Sequence, residues 1–99
     1  MALYKGHETD MRRREQWRKV LDREVGRWSV LPYGELLSAL ATQQVYCVGF
    51  ESKEYQVELE ILESTSGYIH LMISVDDGSL PASILPVTHS FIRNKPPAG

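Results

Sequence analysis

The hydrophobic positions along this chain change period once. Trp17, Val20, Leu21, Val25 and Trp28 recur at spacings of three and four, which predicts an amphipathic helix. Glu24 and Arg13 stand at the edges of that stripe, Thr9 or Asp10 can cap the helix, and Gly26 marks its last turn. A shorter second helix is expected next. Pro32 suits its first position, Glu35 falls in the first turn where the helix dipole favours a carboxylate, and Leu36, Leu37 and Leu40 form its apolar stripe. Gln43 and Gln44 end it.

From Val45 onward the period is two. Tyr46, Val48 and Phe50 alternate with Val45, Cys47 and Gly49; Tyr55, Val57, Leu59 and Ile61 alternate with Gln56, Glu58 and Glu60; Ile69, Leu71, Ile73 and Val75 alternate with Tyr68, His70, Met72 and Ser74. Three strands of an antiparallel meander follow. Placing all apolar sets on one face sets Phe50 opposite Tyr55 around a turn at Ser52-Lys53, and Ile61 opposite Ile69 with Leu59 opposite Leu71. The second loop is then Ser64, Thr65 and Ser66, with Gly67 expected in a left-handed conformation. Asp76-Asp77-Gly78-Ser79 is a turn signal, and Val87 to Ile92 reads as a fourth strand, held at an edge by Pro86, which has no N–H to donate.

These elements predict an α+β fold of two layers: an N-terminal amphipathic helix and a short second helix packed on a three- or four-stranded antiparallel meander. Trp17, Trp28, Leu36, Leu40, Val48, Phe50, Val57, Leu59, Ile61, Leu71 and Ile73 are the expected core, in a single domain over 1–99 with frayed tails at 1–9 and 94–99.

Composition narrows the class. With 99 residues, 42% of them apolar, and 11 Lys plus Arg against 13 Asp plus Glu, the chain is not of the disordered type and can hide roughly 60–65% of the surface its unfolded form exposes. No apolar stretch approaches the roughly 18 residues a membrane helix needs. The first residues lack the basic and apolar regions of a secretory signal, and Cys47 stands alone, so a reducing cytoplasm is expected.

The net charge of −2 averages over unlike segments. Residues 1–27 carry eight cations and five carboxylates, net +3; residues 28–92 carry eight carboxylates and Lys53, net −7; Arg93 and Lys95 close the chain. On a helical wheel Arg12, Lys19, Arg23 and Arg27 form a basic stripe away from the apolar one. Their like-charge i,i+4 pairs cost roughly 0.2–0.5 kcal/mol each.

Candidate chemistry is sparse. In the register above, Glu60 faces His70 and Glu58 faces both Met72 and Cys47, so Cys47, Glu58, Glu60 and His70 could cluster as a metal site or a Cys-His nucleophile pair. A Glu–His pair on a solvated sheet and a cysteine acting as a small apolar residue account for the same residues. A calcium loop starting at Asp76 or Asp77 fails, because Val87 or Thr88 stands where the twelfth-position glutamate belongs. No nucleophile elbow, glycine-rich phosphate loop or zinc-protease motif occurs. No cofactor is implied, and a non-enzymatic role is favoured over an enzymatic one.

The Tyr33-Gly34-Glu35-Leu36-Leu37 helix, the Tyr55-Gln56-Val57-Glu58 strand, the Ile73-Ser74-Val75-Asp76-Asp77-Gly78 strand end and the closing Ser90-Phe91-Ile92 together resemble small uncharacterised bacterial single-domain proteins over residues 28–93. That resemblance implies a fold and no activity. The function expected from the residues is a protein–protein interaction module, self-associating as a homodimer or engaging another protein. Leu62, Tyr68, Met72, Val45 and Cys47 make one sheet face half apolar, and cover by the short helix or the C-terminal segment is expected there. The alternatives are nucleic-acid binding through Arg12, Arg13, Lys19, Arg23 and Arg27, or a small metal or enzymatic domain on the Cys47 cluster. No membrane partner is expected.

Overall fold

The computed structural model describes residues 2–42, 44–78 and 86–97, with side chains from Arg12 onward. Its elements are α1 (Ala2–Ser29), α2 (Tyr33–Leu40), β1 (Val45–Phe50), β2 (Lys53–Ser64), β3 (Tyr68–Asp76) and β4 (Val87–Asn94). The four strands form one antiparallel sheet in chain order, so the α+β two-layer arrangement is as expected.

α1 starts earlier than its expected cap: Thr9 and Asp10 lie inside the helix. No proline interrupts residues 2–29, so nothing stops the helical ladder from running N-terminally for about 42 Å in all. Residues 2–9, expected as a frayed tail, are helical. Beyond Ser29 the chain turns, with Leu31 N–H donating to Trp28 O at 3.2 Å, just before Pro32, a residue that disfavours helical backbone in its predecessor. Pro32 sits one place outside α2 as its N-cap, with ψ 159°, and accepts the Leu36 N–H at 2.9 Å. Leu36 and Leu40 are the buried face of α2.

Both hairpins differ from the expected register by two residues. Phe50 pairs with Lys53 and Val48 with Tyr55, around a two-residue turn at Glu51-Ser52. Both turn residues are left-handed, at φ 49° and 63°, as a type I′ turn requires. Asparagine or glycine usually announces that turn, and neither is present. In the second hairpin Leu59 pairs with Ile73 and Ile61 with Leu71, after which a bulge at Leu62 brings Glu63 opposite His70 and Ser64 opposite Ile69. Gly67 is not left-handed. Thr65 closes this loop instead, its Oγ1 accepting the N–H groups of Gly67 (3.0 Å) and Tyr68 (3.1 Å). A slip of two preserves which face each side chain takes, so the hydrophobic pattern is satisfied by either register.

The core lies between the helices and one sheet face. Trp17, Val20, Leu21 and Trp28 of α1 and Leu36 and Leu40 of α2 bury against Tyr55, Val57, Leu59, Ile69, Leu71, Ile73, Val75 and Val87. α1 packs most closely on β3 and β4. Val48 and Phe50 are only partly buried, and Ile61 is 42% exposed. Ile61 faces the helix side, but β1 pairing ends at Glu58 and the Leu59 N–H then donates to Gln44 O, so among the described residues Ile61 has no strand neighbour on that flank. β4 extends two residues past its expected end, and Asn94, expected in a frayed tail, is paired with Tyr68.

Among the described residues no helix is long and apolar enough to cross a membrane.

Candidate functional site

Three polar regions depart from a simple apolar core with a wet exterior. The first is inside. Glu24 of α1 is 2% exposed, on the helix face that also buries Trp17 and Trp28. Its Oε1 accepts the Tyr46 hydroxyl at 2.5 Å, and Tyr46 in turn accepts the Trp28 indole N–H at 2.7 Å. Arg23 Nε lies 3.4 Å from Oε2 and Arg27 Nη1 3.5 Å from Oε1. The two guanidinium groups also lie over the Phe50 ring (5.3 Å) and the Tyr46 ring (5.9 Å), and Arg23 donates to Gly49 O at 3.3 Å. The Tyr46 hydroxyl is held far above its ordinary pKa, first by burial and then by its bond to Glu24. Every part of this network is engaged within the chain, so it fixes how α1 docks on β1 rather than offering groups to a ligand.

The second region is a cleft of about 400 Å³ between α1 and the first hairpin, lined by Arg12, Arg13, Gln16, Glu51, Lys53 and Tyr55. Beside it the Asp77 carboxylate, 1% exposed, takes two cations on one oxygen, Lys53 Nζ at 3.1 Å and Arg13 Nε at 3.6 Å. Lys53 lies 6.0 Å above the Tyr55 ring. Gln16 Oε1 is sealed from solvent and has no hydrogen-bond partner among the described residues.

The third region is the sheet face turned away from the helices. Glu54, Gln56, Glu58 and Glu60 are all exposed there, alternating with buried Tyr55, Val57 and Leu59. Val45 and Cys47 are exposed on β1, Ile92 on β4, while His70 and Met72 are half-buried on β3. The expected internal cover is not found among the described residues: α2 joins the core on the opposite face and β4 extends the sheet in its own plane.

Sequence-predicted residues divide among these regions. Cys47, Glu58, Glu60 and His70 do share the open face, but the two-residue register difference separates them. Cys47 pairs with Gln56, Glu58 with Val45 and Ser74, Glu60 with Met72, and His70 with Glu63 and Ile92. Among the described residues no group of three or more His, Cys, Asp or Glu side chains could hold a metal ion. Of the basic set, Arg13 is engaged by Asp77, and Arg23 and Arg27 by Glu24. Arg12 and Lys19 are exposed. Sequence reading missed Lys53, Asp77 and Gln16 as a group, because only the turn at Glu51-Ser52 sets the first hairpin beside the middle of α1, around Arg13 and Gln16. Glu24 was visible as the one acidic residue at the edge of the apolar stripe, which was its only signal.

Compared with protein-family models, curated proteins and solved structures, the chain matches none.

Proposed function

We propose that the chain is a non-enzymatic interaction module that docks a basic protein surface, a second copy of itself included, on its open sheet face. One observation carries this reading. Glu54, Glu58 and Glu60 stand exposed along one side of β2, and no ion pair within the described residues engages them. Same-side residues on a strand lie about 7 Å apart, so the row presents adjacent negative charges with exposed apolar Val45 and Ile92 at its flanks. Such a face repels phosphate backbones and attracts Lys- and Arg-rich surfaces. Self-association has a complementary surface available, because α1 carries exposed Arg12, Arg18 and Lys19 on the other side of the molecule. A lone, exposed Cys47 fits a reducing cytoplasm, where a free thiol persists.

Sedimentation across a concentration series at low and moderate salt tests the reading. We expect a mass that rises with concentration, or binding of arginine-rich peptides, with either one weakened by salt and by Glu58→Lys with Glu60→Lys. A chain that stays monomeric and ignores basic peptides overturns it. Salt-dependent binding of mixed DNA or RNA at micromolar protein, lost on Arg12→Gln with Lys19→Gln, overturns it in favour of the basic helix.

A further inference from the structure

We propose that a second copy of the chain pairs with the outer edge of β4, antiparallel and centred on Ser90, so that two sheets join into one. The backbone decides which groups that edge offers. Lys95 N–H donates to Gly67 O at 2.8 Å, and the pairing of β4 with β3 runs unbroken from Val87 to Asn94. By the alternation of an antiparallel ladder, Val87, His89, Phe91 and Arg93 bond to β3, while Thr88, Ser90, Ile92 and Asn94 aim their N–H and C=O groups outward. Within the described residues no further backbone hydrogen bond engages those four. Their side chains are exposed as well, Ile92 to 55%.

The other edges carry devices that blunt pairing with another chain, and β4 lacks them. At β1 the Gly49 carbonyl accepts Arg23 Nη2 at 3.3 Å. Where β2 runs past β1 it is bulged at Leu62, between Glu60 and Glu63. β4 has no bulge, and from Val87 to Ile92 it has no Lys, Arg, Asp or Glu, with Pro86 standing before the strand rather than within it. Charge then selects a second copy as the occupant. Arg93 and Lys95 lie at the far end of β4, Asp76 closes β3 beside its start, and no ion pair engages any of the three within the described residues. With Ser90 opposite Ser90, the two cationic ends are held apart, and each comes within two strand spacings, about 10 Å, of the partner's Asp76. The same register sets Ile92 beside the partner's Thr88 and covers an exposed apolar side chain. A single pair of strands buries less than the roughly 1,000 Å² of a stable interface, so the dimer is a weak one.

Sedimentation of the full chain in roughly 0.5 M salt tests this, because the Debye length there is about 4 Å and docking on the acidic face is suppressed. We expect a mass that rises with concentration to that of a dimer and levels off, unchanged by Ser90→Ala or by Glu58→Gln with Glu60→Gln. Ser90→Lys sets two ammonium groups opposite each other and raises the midpoint about tenfold. Ser90 is exposed, so its variants fold. In a Cys47→Ser background, Ser90→Cys yields a disulfide-linked dimer on oxidation, since directly opposed residues of a hydrogen-bonded pair lie about 5.5 Å apart, within disulfide range. Thr88→Cys, which faces Ile92 of the partner, yields far less. A chain that stays monomeric in high salt, a mass that climbs past the dimer, a midpoint unmoved by Ser90→Lys, or equal crosslinking at 88 and 90 overturns the pairing. The open-face reading is separate, and it stands or falls on salt-dependent binding of basic peptides.

Discussion

The two faces of β2 are built from alternate residues of one strand and carry opposite chemistry. Toward the helices, Tyr55, Val57 and Leu59 are at most 4% exposed; away from them, Glu54, Gln56, Glu58 and Glu60 are open to water. Stability resides on the first side, where apolar area leaves water at roughly 25 cal/mol per Å². The second side adds repulsion between neighbouring carboxylates and little else. A face that contributes so little to folding is free to be shaped by binding, and the comparison therefore separates what holds this chain together from what it presents to others.

The strongest way to break the comparison is to open the covered face. Trp17 is fully buried, and Trp17→Ala should cost about 3–5 kcal/mol by cavity formation, enough to unfold much of the population of a small domain. Chemical denaturation read by far-ultraviolet circular dichroism measures it. A loss below about 1 kcal/mol would mean that α1 does not supply the lid of the core.

The charged group on the covered side ranks next. Glu24→Ala removes the acceptor of Tyr46 and leaves two guanidinium groups without their carboxylate, but Arg23 and Arg27 are 45% and 60% exposed and can turn to water. We expect about 2–3 kcal/mol, the low end for breaking a buried ion pair. Tyr46→Phe should cost about 1–2 kcal/mol through the lost bonds to Glu24 and Trp28, and it carries a pH signature. Because folding raises the Tyr46 pKa above its ordinary 10.0, the folded state resists losing that proton. Its contribution is complete below pH 10 and declines as pH rises through the interval up to the folded value. Denaturation midpoints of wild type and Tyr46→Phe should therefore converge above pH 10. Parallel curves would show that the hydroxyl is not buried against Glu24.

How much of this was legible in advance follows the same division. Periodicity assigned Val57, Leu59, Leu71 and Ile73 to the covered side and Glu58 and Glu60 to the open one, because that assignment depends only on alternation. It did not resolve which residues face one another, since a slip of two leaves alternation intact. Register depended on Glu51-Ser52, a turn whose residues do not announce left-handed backbone, and on a bulge at Leu62. With the register went the Cys47 and His70 cluster, while the cleft beside Lys53 was never visible. Val20, Leu21, Tyr55, Ile69, Val75 and Val87 were left out of the expected core although they carry the right pattern; Val20 and Leu21 lie on the buried face of α1, and the other four lie on the sheet face that packs against the helices. That turn also gives a test. Ser52→Gly relieves a left-handed side chain at φ 63° and should stabilise the hairpin by up to about 1 kcal/mol, offset in part by the freer unfolded chain. A loss of stability would place the turn elsewhere, and with it both rows of β2.

The smallest expected change in stability sharpens the comparison most. Glu58→Gln with Glu60→Gln touches only the open face and removes two charges about 7 Å apart on the same side of the strand. No buried contact is lost, since both side chains are exposed and engaged in no ion pair within the described residues. Folding should be unchanged or favoured by up to about 0.5 kcal/mol as the repulsion goes. Association with basic peptides, or with a second copy, should weaken in the same variant, and its dependence on salt should flatten because fewer charges take part. Denaturation and sedimentation on one preparation read both effects. A variant that loses stability together with association would show that the acidic row supports the fold after all, whereas stability kept and association lost is what a surface shaped by its partner requires.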